Sequence, residues 1–222
     1  MTKIYIVRHC EAMGNVMRIF QGTTDLDISE IGAKQLQYLK ERFEKIKLDK
    51  VYTSPLIRTR KTAEAVAGDR NIEIEACAGL IELNGGIVEG KPFKETFLSM
   101  PELLEVWENH PQDFAPDGGE PMKLAYDRIW NTVLSIAKEN KDKTIACSTH
   151  GGVTRCLLCR LLFGDIKELK NVPWSDNTAV TLIEFDEQFN HTLLYYNDNT
   201  HLPENLIPQN SRIGSIIAGG KK

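Results

Sequence analysis

The chain has 222 residues, of which 41% are hydrophobic and 26% are charged. This composition is typical of a folded globular protein and excludes collagen-like, fibrous and disordered classes. A formal net charge of −4 argues against the broad basic surface of nucleic-acid-binding proteins. No apolar run reaches the roughly 20 residues of a membrane span, and the amino end has no signal-peptide core. We therefore expect a cytoplasmic protein with neither nucleic-acid nor membrane partners.

Strands and helices are predicted to alternate along the chain. Short runs rich in β-branched and aromatic residues predict strands, and apolar residues at helical spacing predict helices. Ser29 is a good N-cap for the first helix, and Gly68 and Gly164 stop two later ones. The predicted strands are 3–7, 51–53, 72–74, 144–147, 179–185 and 191–196; the predicted helices are 29–46, 58–67, 121–139 and 153–163.

One segment interrupts this alternation. Residues 84–120 contain scattered Gly and Pro residues and only short helical pieces such as 102–108. We interpret the chain as a single domain, 1–222, with an inserted lid-like segment at about 84–120. Five large side chains of this segment could cover an organic leaving group, although such residues more often belong to a core: Phe93, Phe97, Met100, Trp107 and Phe114.

The order of these elements predicts an α/β fold. Strands that alternate with helices favour a mostly parallel sheet with helices on both faces, a three-layer architecture. The last two strands are close enough in sequence to form an antiparallel edge. Cys156 and Cys159 have the C-x-x-C spacing of some metal and redox sites, but the residues between them are apolar and no second Cys or His pair accompanies them. This segment is therefore predicted to be the core of a helix.

Basic side chains follow three of the predicted strands. Arg8 and His9 come after the first strand, Arg58 follows the second, and His150 follows a later one, next to a helix start at Gly151. Ligands of open α/β sheets bind beyond the carboxyl ends of the strands, so these residues can converge there. Such a cationic pocket fits a phosphoryl group, which arginine forks and helix N–H groups bind well.

Two other interpretations compete with a phosphoryl site. Taken singly, each arginine is more often a surface charge, and each histidine is more often structural. His9, Cys10, Glu11 and His150 could instead form a zinc site. Two arginines beside a divalent cation would repel it, and no standard zinc motif is present, so we expect no metal and no cofactor.

At these residues the sequence resembles the histidine phosphatase superfamily, which includes the cofactor-dependent phosphoglycerate mutases. Members carry Arg-His-Gly-Glu followed shortly by Asn, and this chain has Arg8-His9-Cys10-Glu11 followed by Asn15. The resemblance extends in family order to about residue 165 and depends on the ordered set of motifs. The other matching segments are Gln21-Gly22, 27–32, 54–63, Gly118-Gly119-Glu120 and 149–152, with a weak extension at 176–179.

The resemblance implies a role for each matching residue. It makes His9 the nucleophile, Arg8 and Arg58 phosphate clamps, His150 a contact that stabilises the transferring group, and Glu82 the acid/base carboxylate. It also implies a metal-independent phosphomonoester hydrolase that acts through phosphohistidine on a small phosphorylated metabolite. The expected substrate contacts are Asn15, Gln21, Gly22 and Gly151.

Two points separate this chain from the common family pattern. Cys10 replaces the usual Gly, and a positive φ there would strain a cysteine. The segment between Glu82 and His150 is compact, whereas the mutases carry a longer Lys- and Arg-rich insertion, so a phosphatase is favoured. A phosphoglycerate mutase and a non-catalytic phospho-ligand binder remain as alternatives, and a homodimer is left open.

Overall fold

The computed structural model describes residues 1–207, and within them six strands form one mixed sheet. The strands are β1 (Thr2–Arg8), β2 (Lys50–Thr53), β3 (Ile74–Ala76), β4 (Thr144–Thr149), β5 (Val180–Phe185) and β6 (His191–Asp198). They lie in the order β3-β2-β4-β1-β5-β6. The first four of these are mutually parallel, and β5 and β6 add an antiparallel edge beside β1. The predicted mostly parallel α/β sheet is confirmed.

The helices begin and end close to their sequence signals. Within the described residues they are α1 (Met13–Val16), α2 (Glu30–Glu44), α3 (Ile57–Ala67), α4 (Phe93–Leu98), α5 (Pro101–Asn109), α6 (Met122–Glu139) and α7 (Gly151–Phe163). The Ser29 side chain accepts a hydrogen bond from the N–H of Gly32 and so caps α2. Gly68 and Gly164 end α3 and α7 with φ angles of 61° and 72°, which glycine adopts without strain.

Three local predictions differ from the structure. No helix is predicted between the first strand and residue 29, but this stretch contains α1, whose start is closed by a 3.0 Å hydrogen bond from the Ala12 N–H to Asn15 Oδ1. The third strand is Ile74–Ala76 instead of 72–74, because Ile74 pairs with Val51 of β2. The inserted segment contains α4 as well as the helix expected near 102–108.

Helices cover both faces of the sheet. Leu39 and Phe43 of α2 pack with Val66 of α3 in one buried cluster, and Val7 of β1 points into it. On the other face α6 and α7 pack against alternate strand residues such as Ile6. This alternation is the two-residue period of a strand buried on both sides. Cys156 and Cys159 are buried in α7, as the sequence indicated.

The aromatic residues of the inserted segment form a core of their own. Phe93 and Phe97 stack with ring centroids 4.3 Å apart, and Trp107 meets Phe114 edge-on at 4.8 Å. Phe20, from the loop after α1, packs against all four rings. Burial of these rings fixes the segment against the rest of the protein.

Two further points concern membrane-spanning helices and the carboxyl-terminal tail. No helix within residues 1–207 has both the length and the apolar character needed to cross a bilayer. The Gly- and Lys-containing tail at 214–222, whose composition is that of a low-complexity segment, lies outside the described residues.

Candidate active site

The sheet order brings the predicted basic residues together. β2, β4 and β1 are adjacent at the centre of the sheet and run parallel, so their carboxyl ends share one edge. Arg8 and His9 follow from β1, His150 from β4, and Arg58 lies in the first turn of α3 just after β2. All four side chains are buried, with 5% or less of each residue exposed. The convergence that the sequence predicted is present.

His9 has one ring nitrogen occupied by the backbone. Its Nδ1 lies 2.6 Å from the carbonyl oxygen of Cys10, and because a carbonyl can only accept, Nδ1 must carry the proton. In the neutral ring the lone pair is then on Nε2. The ring centroid lies 5.3 Å from that of His150. The backbone thus selects the tautomer with a nucleophilic Nε2.

The hydrogen-bond network also sets the tautomer of His150. Arg58 Nε donates to His150 Nδ1 at 3.2 Å, so Nδ1 carries no proton. The protonated Nε2 lies 2.7 Å from Ser54 Oγ and donates to it. Ser54, which the sequence analysis included only within the matching segment 54–63, is therefore part of the site.

Both imidazoles are held in the neutral form. Burial holds the pKa of His9 well below its usual range, and the charges of Arg58 and Arg8 lower it further. The pKa of His150 is also well below its usual range, first because of burial and then because of Arg58. A neutral His9 has a free lone pair on Nε2, which is the form that a nucleophilic imidazole requires.

Arg58 is anchored by three backbone carbonyls. Its Nη2 donates to the oxygens of Gly22 at 2.7 Å and Gln21 at 3.4 Å, and its Nη1 donates to Thr24 at 2.9 Å. Burial lowers the Arg58 pKa to about 10, which still leaves a cation at neutral pH. The 21–24 loop therefore holds a fixed positive charge beside His150.

Arg8 has an unused donor. Its Nη1 donates to the carbonyl oxygen of Ser175, whereas its Nε is buried and has no hydrogen-bond partner among the described residues. A Cβ on Gly151 would lie 3.1 Å from this Nε, so the guanidinium group packs on the start of α7. A buried N–H without a partner is costly, and a bound anion would satisfy it.

Glu82 occupies the amino end of α7. Its carboxylate accepts from the N–H groups of Gly152 at 2.8 Å and Val153 at 3.1 Å, and from its neighbour Leu83 at 2.9 Å. From the sequence, the N–H groups at this helix end were predicted to be free to bind phosphate. Two of them are instead used to hold the carboxylate, which fixes Glu82 next to the basic residues.

Glu89 is a structural contributor that the sequence analysis missed. Its Oε1 accepts from the N–H groups of Gly22 and Thr24, each at 2.9 Å, and from Thr24 Oγ1 at 2.6 Å. Its Oε2 accepts from the N–H of Gly85 at 2.7 Å. One carboxylate thus joins the loop that anchors Arg58 to the segment that follows Glu82. Gly22 and Gly85 were the available sequence signal, because a Cβ at either glycine would lie within 2.9 Å of Glu89 Oε2.

A second feature, at Asn177 and Thr178, holds the backbone of Arg8 and His9. Asn177 Nδ2 donates to the His9 carbonyl oxygen at 3.0 Å, and the N–H of Thr178 donates to that of Arg8 at 3.1 Å. Thr178 has a φ of 56°, which is unusual for a β-branched residue. The weak motif at 176–179 was the only sequence signal of this element.

Cys10 and Glu11 turn away from the imidazoles. The φ of Cys10 is not positive, so the strain considered for a cysteine here does not arise. A Cβ on Gly32 would lie 3.3 Å from Cys10 Sγ, which places the thiol against α2. Burial raises the pKa of this thiol to about 12. Glu11 accepts from Ser29 Oγ at 2.6 Å, and within residues 1–207 no cluster of three His, Cys, Asp or Glu side chains suits a metal ion.

The four predicted substrate contacts have different settings. Gly151 lies against Arg8, and Gly22 is part of the loop that anchors Arg58. Gln21 Oε1 is buried and has no hydrogen-bond partner among the described residues. Asn15 uses its Oδ1 to close α1. Contact of each with substrate stays a prediction.

Together these features define a class of protein: an α/β protein with two neutral buried histidines, two buried arginines and one held carboxylate at the carboxyl edge of its sheet. The chain belongs to the histidine phosphatase superfamily (branch 1), whose family model matches residues 4–199. The resemblance read from the motifs is confirmed.

Individual relatives agree with this placement over nearly the whole chain. Phosphoserine phosphatase 1 of Hydrogenobacter thermophilus is 31% identical over 92% of this chain and 96% of its own length. Phosphoglycerate mutase-like protein 4 of Arabidopsis thaliana is 30% identical over 98% and 94%. Among solved structures, Bacillus stearothermophilus YhfR has a TM-score of 0.86 at 31% identity, covering 90% of this chain and 99% of that one.

Proposed function

We propose that the protein hydrolyses phosphomonoesters of small metabolites through a phosphohistidine intermediate, without a metal ion. His9 Nε2 attacks phosphorus, the nitrogen–phosphorus bond forms, and the ester oxygen leaves with a proton from protonated Glu82. Water then attacks the phosphohistidine, Glu82 takes a proton from that water, and inorganic phosphate leaves. Arg8, Arg58 and His150 balance the charge of the transferring oxygens.

One observation carries this proposal: a neutral imidazole with a free Nε2 is surrounded by two buried guanidinium groups, one of which has an unsatisfied N–H. Like charges about 4 Å apart repel by roughly 4 kcal/mol at an effective dielectric of 20, so this pocket is stabilised by an anion. A phosphoryl group supplies that charge together with several acceptor oxygens. The pocket is therefore built for phosphate and for its transfer to His9.

The relatives favour a phosphatase over the two alternatives. Several are named phosphoserine phosphatases, including a metal-independent one from Arabidopsis thaliana that is 32% identical over 72% of this chain. A mutase remains the second candidate, because mutase-like proteins are also among the relatives. The complete set of basic residues and the held carboxylate argue against a decayed, purely binding protein. We place the protein in the cytoplasm, with a small phosphorylated substrate as its partner.

The proposal is tested with p-nitrophenyl phosphate, with and without a chelator. The wild type should release phosphate equally well in both conditions, and His9→Ala should lose about 10³-fold or more in kcat, as loss of a nucleophile does. His110→Ala, on an exposed residue of the inserted segment, is the matched control and should retain full activity.

Three outcomes would contradict the proposal. Chelator-sensitive turnover would restore the metal interpretation, and an inactive wild type that binds phosphate would indicate a binding protein. Interconversion of phosphoglycerates after bisphosphate priming, without release of phosphate, would identify a mutase.

A further inference from the structure

A small cavity with a volume of about 40 Å³ opens beside the candidate catalytic carboxylate. Glu82, Gln21 and Gly152 contribute to its lining. The other lining residues are five apolar side chains from five separate parts of the chain: Phe20, Leu83, Trp107, Met122 and Trp174. Because Glu82 is the proposed proton donor to the departing alcohol, this cavity is where the alcohol part of a substrate would lie.

The wall of this cavity offers no charge except that of Glu82. Trp107 and Trp174 stack with ring centroids 6.0 Å apart and form an aromatic surface. Met122, at the start of α6, is only 3% exposed. An apolar group placed here would lose its water and contact rings and a thioether on several sides.

Two arginines near this wall are held by protein groups. The Arg155 guanidinium lies 4.9 Å from the Trp174 ring centroid and donates to the carbonyl oxygens of Val172 at 2.9 Å and Leu169 at 2.8 Å. Arg128 pairs with Glu120 at 2.6 Å and also donates to backbone carbonyls. Neither arginine is among the described residues that line the cavity.

Phosphoserine illustrates what this cavity disfavours. Its leaving group carries an ammonium and a carboxylate, and that carboxylate would lie among aromatic rings and beside Glu82. Burying a charge without a partner is strongly unfavourable. A site built for serine would need a cation at this position, and the wall has none among the described residues.

We propose that the protein selects phosphomonoesters of compact, uncharged, apolar alcohols, and that Trp174 and Met122 are specificity-determining residues. This inference rests on the proposed phosphatase function and adds the chemical class of its substrate. The reaction is the hydrolysis described above, with the apolar alcohol leaving into this cavity.

The test compares ethyl phosphate and isopropyl phosphate, whose alcohols suit a cavity of about 40 Å³, with O-phospho-L-serine. The kcat/KM should be about 100-fold higher for the two apolar esters, in the range that apolar pocket contacts and a mismatched polar group produce. Serine is a better leaving group than either alcohol, so this order runs against chemical reactivity and reports recognition.

Paired variants identify the residues responsible. Trp174→Gln and Met122→Gln should each lower kcat/KM for isopropyl phosphate about 10-fold or more, whereas the apolar controls Trp174→Phe and Met122→Leu should change it less than about 3-fold. Inhibition by inorganic phosphate should be the same in all four variants, since phosphate contacts Arg8 and Arg58 and not this wall. A variant with altered phosphate inhibition would show damage to the site, and the other pair then decides.

The outcome separates the two proposals. Hydrolysis of phosphoserine as fast as isopropyl phosphate, with His9-dependent phosphate release intact, overturns the inference and leaves the phosphatase function standing. Equal losses in the Gln and the apolar variants at both positions also overturn it. Absence of His9-dependent release from every ester would instead reject the phosphatase function itself.

Discussion

At the residue scale, side chains that touch no substrate decide how rigid the site is. Arg58 depends on three loop carbonyls, and that loop depends in turn on Glu89. His9 likewise depends on Asn177, which is fully buried and donates to its carbonyl oxygen. Groups in such a supporting layer keep the reacting residues in their productive geometry.

Glu89→Gln tests this dependence. The amide has one acceptor oxygen where the carboxylate has two, so its NH₂ must face an N–H donor of Gly85 or of the 21–24 loop. Each bond to a charged group contributes about 1.5–3 kcal/mol, so we expect a loss of about 10- to 100-fold in kcat/KM. Inhibition by inorganic phosphate should weaken in parallel, because Arg58 loses its anchor.

Glu187→Gln, on an exposed turn, is the matched control for Glu89→Gln and should change neither quantity. Unaltered phosphate inhibition and turnover in Glu89→Gln would mean that the 21–24 loop keeps its position without this carboxylate.

Sequence reasoning found the residues whose positions follow directly from strand ends. Arg8, His9 and His150 each come immediately after a predicted buried strand, which is why their convergence could be predicted. Glu82 was identified only through family resemblance. Glu89 could not be found in this way, because its partners are backbone N–H groups of irregular loops, and no sequence period records them.

At the scale of elements, two consecutive glycines at the start of α7 leave space for two different side chains, Arg8 and Glu82. A Cβ at Gly151 would lie 3.1 Å from Arg8 Nε, and one at Gly152 would lie 2.7 Å from Glu82 Oε1. The first position therefore governs the proposed phosphate contact, Arg8, and the second governs the proposed proton donor, Glu82. Neither glycine has a positive φ, so alanine changes only the space available.

The pair Gly151→Ala and Gly152→Ala should separate these two effects. Gly152→Ala displaces Glu82 and should lower kcat for alkyl phosphates by up to about 10²- to 10⁴-fold, the range of general acid catalysis. It should affect p-nitrophenyl phosphate much less, because that leaving group needs little protonation. Gly151→Ala should instead weaken phosphate inhibition for every substrate.

Thermal melts provide the control for the two glycine variants. Alanine is more favourable than glycine in a helix by up to about 1 kcal/mol, so neither substitution should weaken α7. A loss of activity can be assigned to a weakened α7 only if the melting temperature of the variant falls. Identical effects of the two variants on both substrates would contradict the division of roles.

The elements themselves were predictable where a period runs through them. The long amphipathic helices and the β-branched strands have such periods. The four-residue α1 is too short to show a helical period. It is formed by the local hydrogen bond to Asn15, so no helix was predicted there. β3 was misplaced by two residues because its position is set by pairing with β2, a contact that lies outside the segment.

At the scale of the whole molecule, the buried histidines couple stability to pH. An unfolded histidine has a pKa of about 6.5, whereas burial holds the pKa of both His9 and His150 well below that value. The unfolded chain therefore binds protons first as the pH falls. Their contribution to stability is complete above about pH 6.5 and is lost as the pH drops through the lowered folded-state values.

We expect the urea midpoint to fall between pH 6.5 and 4.5. Each such histidine can contribute up to about 1.4 kcal/mol per pH unit in this window. His201 adds to it, since burial and then Arg42 lower its pKa to about 4. His150→Gln, which can still accept from Arg58 and donate to Ser54, should reduce the slope.

His110→Gln, on the exposed surface, should leave this slope as it is in the wild type. A midpoint that does not change from pH 7.5 to 4.5 would show that these imidazoles exchange protons freely in the native protein.

The fold class was predictable because alternation of strands and helices restricts the topology to few arrangements. The sheet order was not, since nothing in the sequence states that β4 lies between β2 and β1. That order determines the site: any other neighbour would separate Arg58, His150 and His9.

The two glycines at the start of α7 also bear on how such a protein can acquire new substrates. Consecutive Cα atoms are 3.80 Å apart, so a single peptide unit sets the distance between the anion contact and the carboxylate anchor. Four of the five apolar side chains that line the cavity beside Glu82 lie elsewhere in the chain: Phe20, Trp107, Met122 and Trp174. These side chains can be exchanged while Arg8 and Glu82 keep their mutual spacing, so selectivity can evolve or be engineered without rebuilding the proposed chemistry.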